Sequence, residues 1–434
     1  MQKLNYKRTF FIGLAFLSIS AFWQMYDNII PLILKNTFGM GETITGVVMA
    51  IDNVLALFLL PVIGSFSDRV DTRWGKRMPF IVGGTLMAVI FMMIQPYADR
   101  QKNQFLFIAV LFCTLLAMGL YRSPAVALMP DLTPNEHRSR ANAIINLMGA
   151  VGGVYALIMI KVLVGEENHP NYFPLYFSIG ILMVLCILIL VLTISEKEIK
   201  VNKECDQSNQ GLEEKTPIKV PIRKEGSDIK LEPDIKRSMI FMLLSIFFWF
   251  AAYNAVTTAF SRYTSVVWGM EGGAFANCLM VATVAAIISY VPISSIAGRI
   301  GRKKTIMGGV LLMAVCYGAA FFISSYHPII NVAFALIGVA WAAINVNSYP
   351  MIVAMGAESD IGRFTGTYYT FSMSAQIVTP ILSGMLLERV SYRTLFPYAF
   401  LFTLLAFVTM TQVKHGDVKP MKKESILEHY DVED

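Results

Sequence analysis

Charged residues are scarce in this chain. Asp, Glu, Lys and Arg make up 15% of its 434 residues, against about 25% in a water-soluble domain. With 55% hydrophobic residues, the chain has lipid as its main solvent. Cysteine is scarce too. Cys113, Cys186, Cys278 and Cys316 fall in apolar runs and Cys205 does not, at spacings that suggest neither a disulfide framework nor a metal site. The five histidines are scattered, and no nucleophile is clustered with metal ligands or a base. An enzyme would need such a cluster, so an enzyme is not expected and no cofactor is implied. The net charge of +6 does not point to nucleic acid, because the basic residues gather in short segments between apolar runs.

Apolar runs are what the chain has in plenty. Twelve spans are expected, from 10–34, 42–66, 79–97 and 104–128 through 237–261 to 394–413, each near the roughly 20 residues that cross a bilayer as a helix. The first follows a basic start, MQKLNYKRTF. It is longer than a signal-peptide core and reads as a retained helix. An even number of spans puts both termini on one side. Of the 36 Lys and Arg, 28 fall on that side, 7 fall on the other (Lys35, Arg100, Lys102, Lys161, Arg262, Arg389 and Arg393), and Arg122 lies within a span. The positive-inside rule then predicts cytoplasmic termini in a plasma-membrane protein. Residues 195–236 are rich in Lys and Glu with three prolines and read as a solvated tether. They divide the chain into an N-terminal half, 1–194, and a C-terminal half, 237–434. The halves repeat weakly: Phe22-Trp23 and Tyr26-Asp27 are echoed by Phe248-Trp249 and Tyr253-Asn254.

The stretch GSFSDRVDTRWGKRMPF, from Gly64 to Phe80, is a short basic turn between two spans. Gly64 and Gly75 suit a close helix approach and a sharp turn. Its Gly64, Asp68 and Arg69, followed by Arg73, Trp74, Gly75, Lys76, Arg77 and Pro79, resemble the signature loop between the second and third helices of major facilitator transporters. The longer basic part is similar to the sucrose-transporter-like branch and to the glycoside–pentoside–hexuronide cation symporters. Further stretches carry the same resemblance: Met129-Pro130-Asp131 with Arg138-Ser139-Arg140, Gly338 to Ala342 with Ser348-Tyr349-Pro350, and Thr365 to Tyr369. The C-terminal copy of the loop, Gly298 to Lys304, has Gly298 where the family has an aspartate. The resemblance implies an all-α fold of twelve transmembrane helices in two six-helix halves, with the substrate site between them near mid-membrane. It also implies that Asp68, Arg69, Arg73, Lys76, Arg77, Arg138, Arg299, Arg302 and Arg363 work as a conformational latch. Asp68 is expected to accept from Arg73, Arg77 or helix N-terminal amides.

Three ionisable residues inside spans, Asp27, Asp52 and Arg122, are costly to bury, at about 2.5–3.5 kcal/mol each on insertion scales. A structural ion pair is the plain alternative to function. Counting about 1.5 Å per residue sets the two aspartates nearly level and Arg122 roughly 12–16 Å deeper, so a direct pair is not expected and Arg122 should face the substrate cavity. Polar residues recur at helical spacing: Ser20, Trp23, Gln24 and Asp27; Tyr253, Asn254, Thr257 and Thr258; Trp341, Asn345 and Ser348; Tyr369, Ser372, Gln376 and Thr379. Such a mixture of amides, charges and ring faces suits a sugar, giving Trp23, Gln24, Asp27, Arg122, Tyr253, Asn254, Trp341, Asn345 and Gln376 as candidate binding residues. Burial disfavours the charged form of a carboxylate, which makes Asp27, and then Asp52, candidates for proton coupling. Asn142, Asn146, Gly149 and Gly153 share one helix face and read as packing. The expected function is proton-coupled symport of a sugar or glycoside by a monomer in the bilayer. Sodium coupling, or export of another organic solute, is the alternative.

Overall fold

The computed structural model describes residues 5–70, 72–133, 138–167, 169–196, 233–355 and 361–417; of residues 139 and 361–363 it describes the backbone alone. These residues form twelve long apolar helices. The first six are α1 (Tyr6–Asn36), α2 (Glu42–Arg69), α3 (Met78–Arg100), α4 (Gln104–Leu132), α5 (Arg138–Leu163) and α6 (Phe173–Thr193). Then come α7 (Pro233–Val267), α8 (Ala276–Ile300), α9 (Arg302–Phe321), α10 (Ile330–Val353), α11 (Ile361–Arg389) and α12 (Leu395–Thr411). Helices are the form in which an apolar segment satisfies its backbone without water. Their starts follow local chemistry. The side chains of Asn5 and Asn103 accept from the amides of Arg8 and Leu106, at 3.0 Å each, and Pro79 and Pro174 enter α3 and α6 in the first turn, where no amide hydrogen is needed.

Helix pairing repeats between the halves. In the first half α1 packs on α5 and α6, α4 on α2 and α3, and α3 on α6; in the second α7 packs on α11 and α12, α10 on α8 and α9, and α9 on α12. The halves meet through α2 with α11, α5 with α8, and α1 with α7. Asn5 and Asp417, where the description begins and ends, lie at one end of the bundle, called here the terminal end. Contacts between halves gather at the far end. There a Cβ on Gly46 would overlap the carbonyl of Pro380, and one on Gly384 the carbonyl of Glu42. The buried residues of α2 cluster in its far-end part, at Glu42, Thr45, Gly46, Met49 and Ala50. Toward the terminal end Phe58, Val62 and Phe66 of α2 are exposed.

The face of α5 that reads as packing does pack. Gly149 lies against Ser20, Gly153 faces Gln24, and a Cβ on Gly152 would overlap the backbone of Leu17. Gly152→Val should therefore force α1 and α5 apart. The expected cost is about 3 kcal/mol, the upper part of the usual overpacking range, read as lost thermal stability in detergent.

Most helix ends lie a few residues from the expected spans, and two of these differences bear on the site. Helix α7 begins at Pro233 and runs to Val267, so Arg262, expected in a loop, lies inside it. Its charge is met there by Glu42, which is why the helix carries it. Helix α4 runs on to Leu132, which places Arg122 roughly 15 Å from the terminal end of that helix at about 1.5 Å per residue.

Candidate functional site

Three successive residues of α4 build one side of the site. Tyr121 turns to α1, where its hydroxyl donates to the carbonyl of Ala15 at 2.9 Å and shares a 2.6 Å hydrogen bond with Ser18. Ser123 turns to α2 and donates to the carbonyl of Leu60 at 2.9 Å. Arg122, between them, enters the space between α1 and α2. Its guanidinium lies 5.9 Å from the Trp23 ring centre, within cation–π range. Trp23, Asp52, Gly119 and Arg122 line one recess with Leu55, Leu59 and Met118. The charge of Arg122 acts on Asp52, and that of Asp52 acts on Asp27. Rise per residue places the backbone of Arg122, not the end of its side chain. Side chains lean toward the N-terminus of their helix, and in α4 that lean carries a long guanidinium toward the aspartates. Asn53 donates to Asp52 at 2.8 Å. The Trp23 indole N–H and the Tyr26 hydroxyl are buried donors without a hydrogen-bond partner among the described residues, and Tyr26 lies within the field of both aspartates. The sequence reading missed Tyr26; its place one residue before Asp27 was the available signal.

The α1 stripe divides. Trp23 faces the recess, whereas Ser20 and Gln24 face the glycines of α5. Gln24 is thus on the packing side of α1, since four polar residues at helical spacing span more than one neighbour.

In the second half, Tyr253 and Trp341 stack face to face with ring centres 3.9 Å apart and planes 7° from parallel. Phe250 packs edge-on to Trp341 at 5.4 Å. Asn345 and Ser348 are buried, and Ser348 shares a 3.1 Å hydrogen bond with Tyr368 of α11. The Asn254 amide donates to the carbonyl of Phe250 at 2.8 Å, and the hydroxyls of Thr257 and Thr258 donate to the carbonyl of Asn254. Much of the α7 stripe therefore serves its own helix. Gln376 is half-buried on α11. The repeat does not extend to burial: Trp249, the counterpart of Trp23, is fully buried, and Tyr253 is half-buried where Tyr26 is buried. The structure thus holds two groups, Trp23, Asp27, Asp52 and Arg122 in one half and Tyr253 and Trp341 in the other, on bundles joined through α1 and α7.

At the terminal end the signature loop centres on Arg77. This buried side chain bonds Asp68 and Ser67, and its Nε donates to Asp131 at 3.0 Å. Gly75 adopts φ +104°. The carboxylate of Glu196 lies against it and accepts from the backbone amide of Arg77 at 2.9 Å, capping α3. Gly64 approaches Ser123, as its size allows. Arg69 and Arg73 are exposed and Lys76 is half-buried, so Arg77, not Arg73, is the partner of Asp68. Arg138 donates to the carbonyl of Pro130 at 3.1 Å. Glu196 belongs to the segment expected to be a solvated tether, yet it is buried; residues 197–232 lie outside the described part.

The second half carries the same device with different residues. Gly301 adopts φ +95°, and Asp417, just past α12, accepts from the amide of Lys303 at 3.1 Å. Asp417 thus caps α9 as Glu196 caps α3. Arg302 donates to the carbonyl of Pro350 at 3.3 Å and Arg299 is exposed. The side chain of Arg363 lies outside the described residues.

Twelve apolar helices in two six-helix halves, with charges inside the spans and a basic turn bound into each half, define a multi-pass membrane protein. The chain belongs to the Major Facilitator Superfamily, whose sequence profile matches residues 12–296 and 269–426. It is similar to an uncharacterised symporter of Synechocystis, 28% identical over 177 residues, covering 38% of this chain and 32% of that protein. It is also similar to the isoprimeverose transporter of Lactiplantibacillus pentosus, 20% identical over 307 residues, covering 68% and 59%. The matched stretches therefore span about a third and less than two thirds of these relatives. Among solved structures, a POT family transporter in complex with 5-aminolevulinic acid superposes with a TM-score of 0.71 at 12% identity, covering 94% of this chain and 96% of that one; this likeness concerns the fold alone. The family and these relatives are transporters, not enzymes.

Proposed function

We propose that this protein is a proton-coupled symporter of a sugar or glycoside, working by alternating access. The observation that carries this reading is the recess where Trp23, Asp52 and Arg122 meet beside Asp27. Two carboxylates whose charges act on one another disfavour being charged together, an arrangement suited to taking up and releasing one proton. Arg122, the Trp23 N–H and the Tyr26 hydroxyl supply donors for sugar oxygens. The Trp341–Tyr253 stack supplies a ring surface for apolar C–H faces. The isoprimeverose-transporting relative supports the substrate class. The bias of Lys and Arg supports cytoplasmic placement of the terminal end in the plasma membrane. The conformer is then closed toward the outside.

The test is uptake by proteoliposomes across a panel of neutral disaccharides and sugar acids. A pH gradient, a sodium gradient or no gradient is imposed. Accumulation of at least one sugar under the pH gradient alone is expected. Uptake that follows sodium and ignores pH, or no sugar uptake at all, overturns the reading. The Trp341→Ala variant should raise the half-saturating sugar concentration by about tenfold, since one lost ring platform is worth roughly 1–2 kcal/mol.

A further inference from the structure

Lys7 and Arg8 stand in the first turn of α1, where the helix dipole disfavours a cation. The positive-inside rule accounts for basic residues at this end, but not for the burial of one of them. Arg8 is half-buried, and its Nη2 donates to the carbonyl of Leu132, the last residue of α4, at 2.9 Å. Among the described residues no carboxylate pairs with it. The buried arginines Arg77 and Arg262 each meet a carboxylate at hydrogen-bond distance. A carbonyl offsets only part of a full charge, so a cation drawn partly out of water calls for an anion. Arg8 opens on a recess of about 410 Å³ at the terminal end, lined by Asn5, Lys7, Arg8, Phe11, Thr193 and Ile194. That volume is within the roughly 300–1,000 Å³ of small-molecule sites.

The repeat offers a comparison. In the second half α7 and α12 stand where α1 and α6 stand in the first. There the chain itself joins the two helix ends: the Ser238 hydroxyl shares a 2.8 Å hydrogen bond with the His415 ring and accepts from the amide of Lys414 at 3.1 Å. In the first half the chain leaves α6 for the start of α3, where Glu196 is the cap. Among the described residues none takes the part of His415. The surroundings of the recess are those of a membrane surface. Tyr6 and Phe10 are exposed, and Leu185, Leu188, Ile189 and Leu192 form an exposed apolar stripe along α6 that leads to Thr193.

We propose that this recess binds an anionic phospholipid, with the phosphate between Lys7 and Arg8 and an acyl chain along the α6 stripe. The phosphate is the counter-ion for Arg8, and its oxygens accept charge-assisted hydrogen bonds. A headgroup that carries an ammonium brings a cation toward Lys7 and Arg8, so a lipid of net negative charge is favoured. Arg8 also holds Leu132, whose neighbour Asp131 pairs with Arg77. The bound lipid therefore steadies the end of α4 beside the signature loop. On the proposed orientation the lipid belongs to the inner leaflet, but binding depends on neither orientation nor transport.

Native mass spectrometry of the full chain in neutral detergent, with phosphatidylglycerol or phosphatidylcholine added, reads the bound lipid. The first phosphatidylglycerol should bind at least about fivefold more tightly than phosphatidylcholine. Arg8→Gln should weaken it by about tenfold, Lys7→Gln by less, and Arg8→Lys should stay within about threefold of the wild type. Arg237→Gln removes an exposed cation at the matching start of α7 and should leave the first lipid bound. A photoreactive phosphatidylglycerol should label the segments around Phe11 and Thr193. Inorganic phosphate should not displace the lipid, because it has no acyl chain to place on α6. Equal affinity for the two lipids overturns the proposal, as does wild-type binding in Arg8→Gln. Equal losses in Arg8→Gln and Arg237→Gln would mean diffuse attraction and overturn it too. Displacement by inorganic phosphate would make the recess a site for a soluble anion instead. If Arg8→Gln does not fold, the labelling decides, and cross-links that fall mainly elsewhere sink the idea.

Discussion

Asp27→Asn should abolish accumulation driven by a pH gradient while leaving exchange of labelled for unlabelled substrate intact. A pH step of about one unit carries about 1.4 kcal/mol per proton, enough for roughly tenfold accumulation. Without a proton to carry, the inside-to-outside ratio falls to unity. The amide keeps the size of the carboxylate and still accepts and donates hydrogen bonds, so a residue that only held a sugar hydroxyl would tolerate the change. Proteoliposomes preloaded with substrate measure exchange, and empty ones under a pH step measure accumulation. Accumulation at the wild-type level moves the proton site to Asp52, which shares the field of Asp27 and Arg122. Loss of exchange as well would make Asp27 a binding residue first.

Arg77→Ala should damage the protein more than any other change in the signature loop. Its guanidinium joins α2, through Ser67 and Asp68, to Asp131 near the end of α4. Removing one member of a fully buried ion pair costs roughly 3–5 kcal/mol. Here Asp68 is 60% and Asp131 30% exposed, so water takes up part of their charge and about 2 kcal/mol is expected. Arg77→Lys should recover little, because one ammonium cannot reach three partners in the fork geometry of a guanidinium. Asp68→Asn should be mild in stability, since the amide oxygen still accepts from Arg77, but should slow turnover with little loss of substrate binding. Thermal unfolding in detergent ranks the variants. Equal costs for Asp68→Asn and Arg77→Ala would remove Arg77 from the centre of the loop.

The spans were legible because lipid enforces one rule on every residue that meets it. The loop was partly legible because Asp68 and Arg77 are nine residues apart and must lie close whatever the helices do. Its other partners were not. Asp131 comes from α4, and Glu196 reaches Arg77 from 119 residues along the chain. No local pattern distinguishes that glutamate from those that follow it. Asp417 and Lys303, 114 residues apart, escaped for the same reason, although the glycine where an aspartate was expected hinted that the second half solves the problem differently. Helical spacing found the polar faces but not the neighbour each face meets, so Gln24 was grouped with Trp23 while it faces α5. Glu42 and Arg262 stood at the edges of their spans, where a charge reads as solvated. Only packing between the halves reveals that both are buried.

The position of Glu196 bears on how the chain is made. Among the described residues every partner of Arg77 lies upstream of residue 197, and the cap on α3 is the last of them to leave the ribosome. The first six helices can therefore lock their terminal end before any of the second six exist. The second six carry their own cap in Asp417 and borrow nothing from the first for that purpose. Residues 197–232 then separate two units that each complete themselves in order of synthesis.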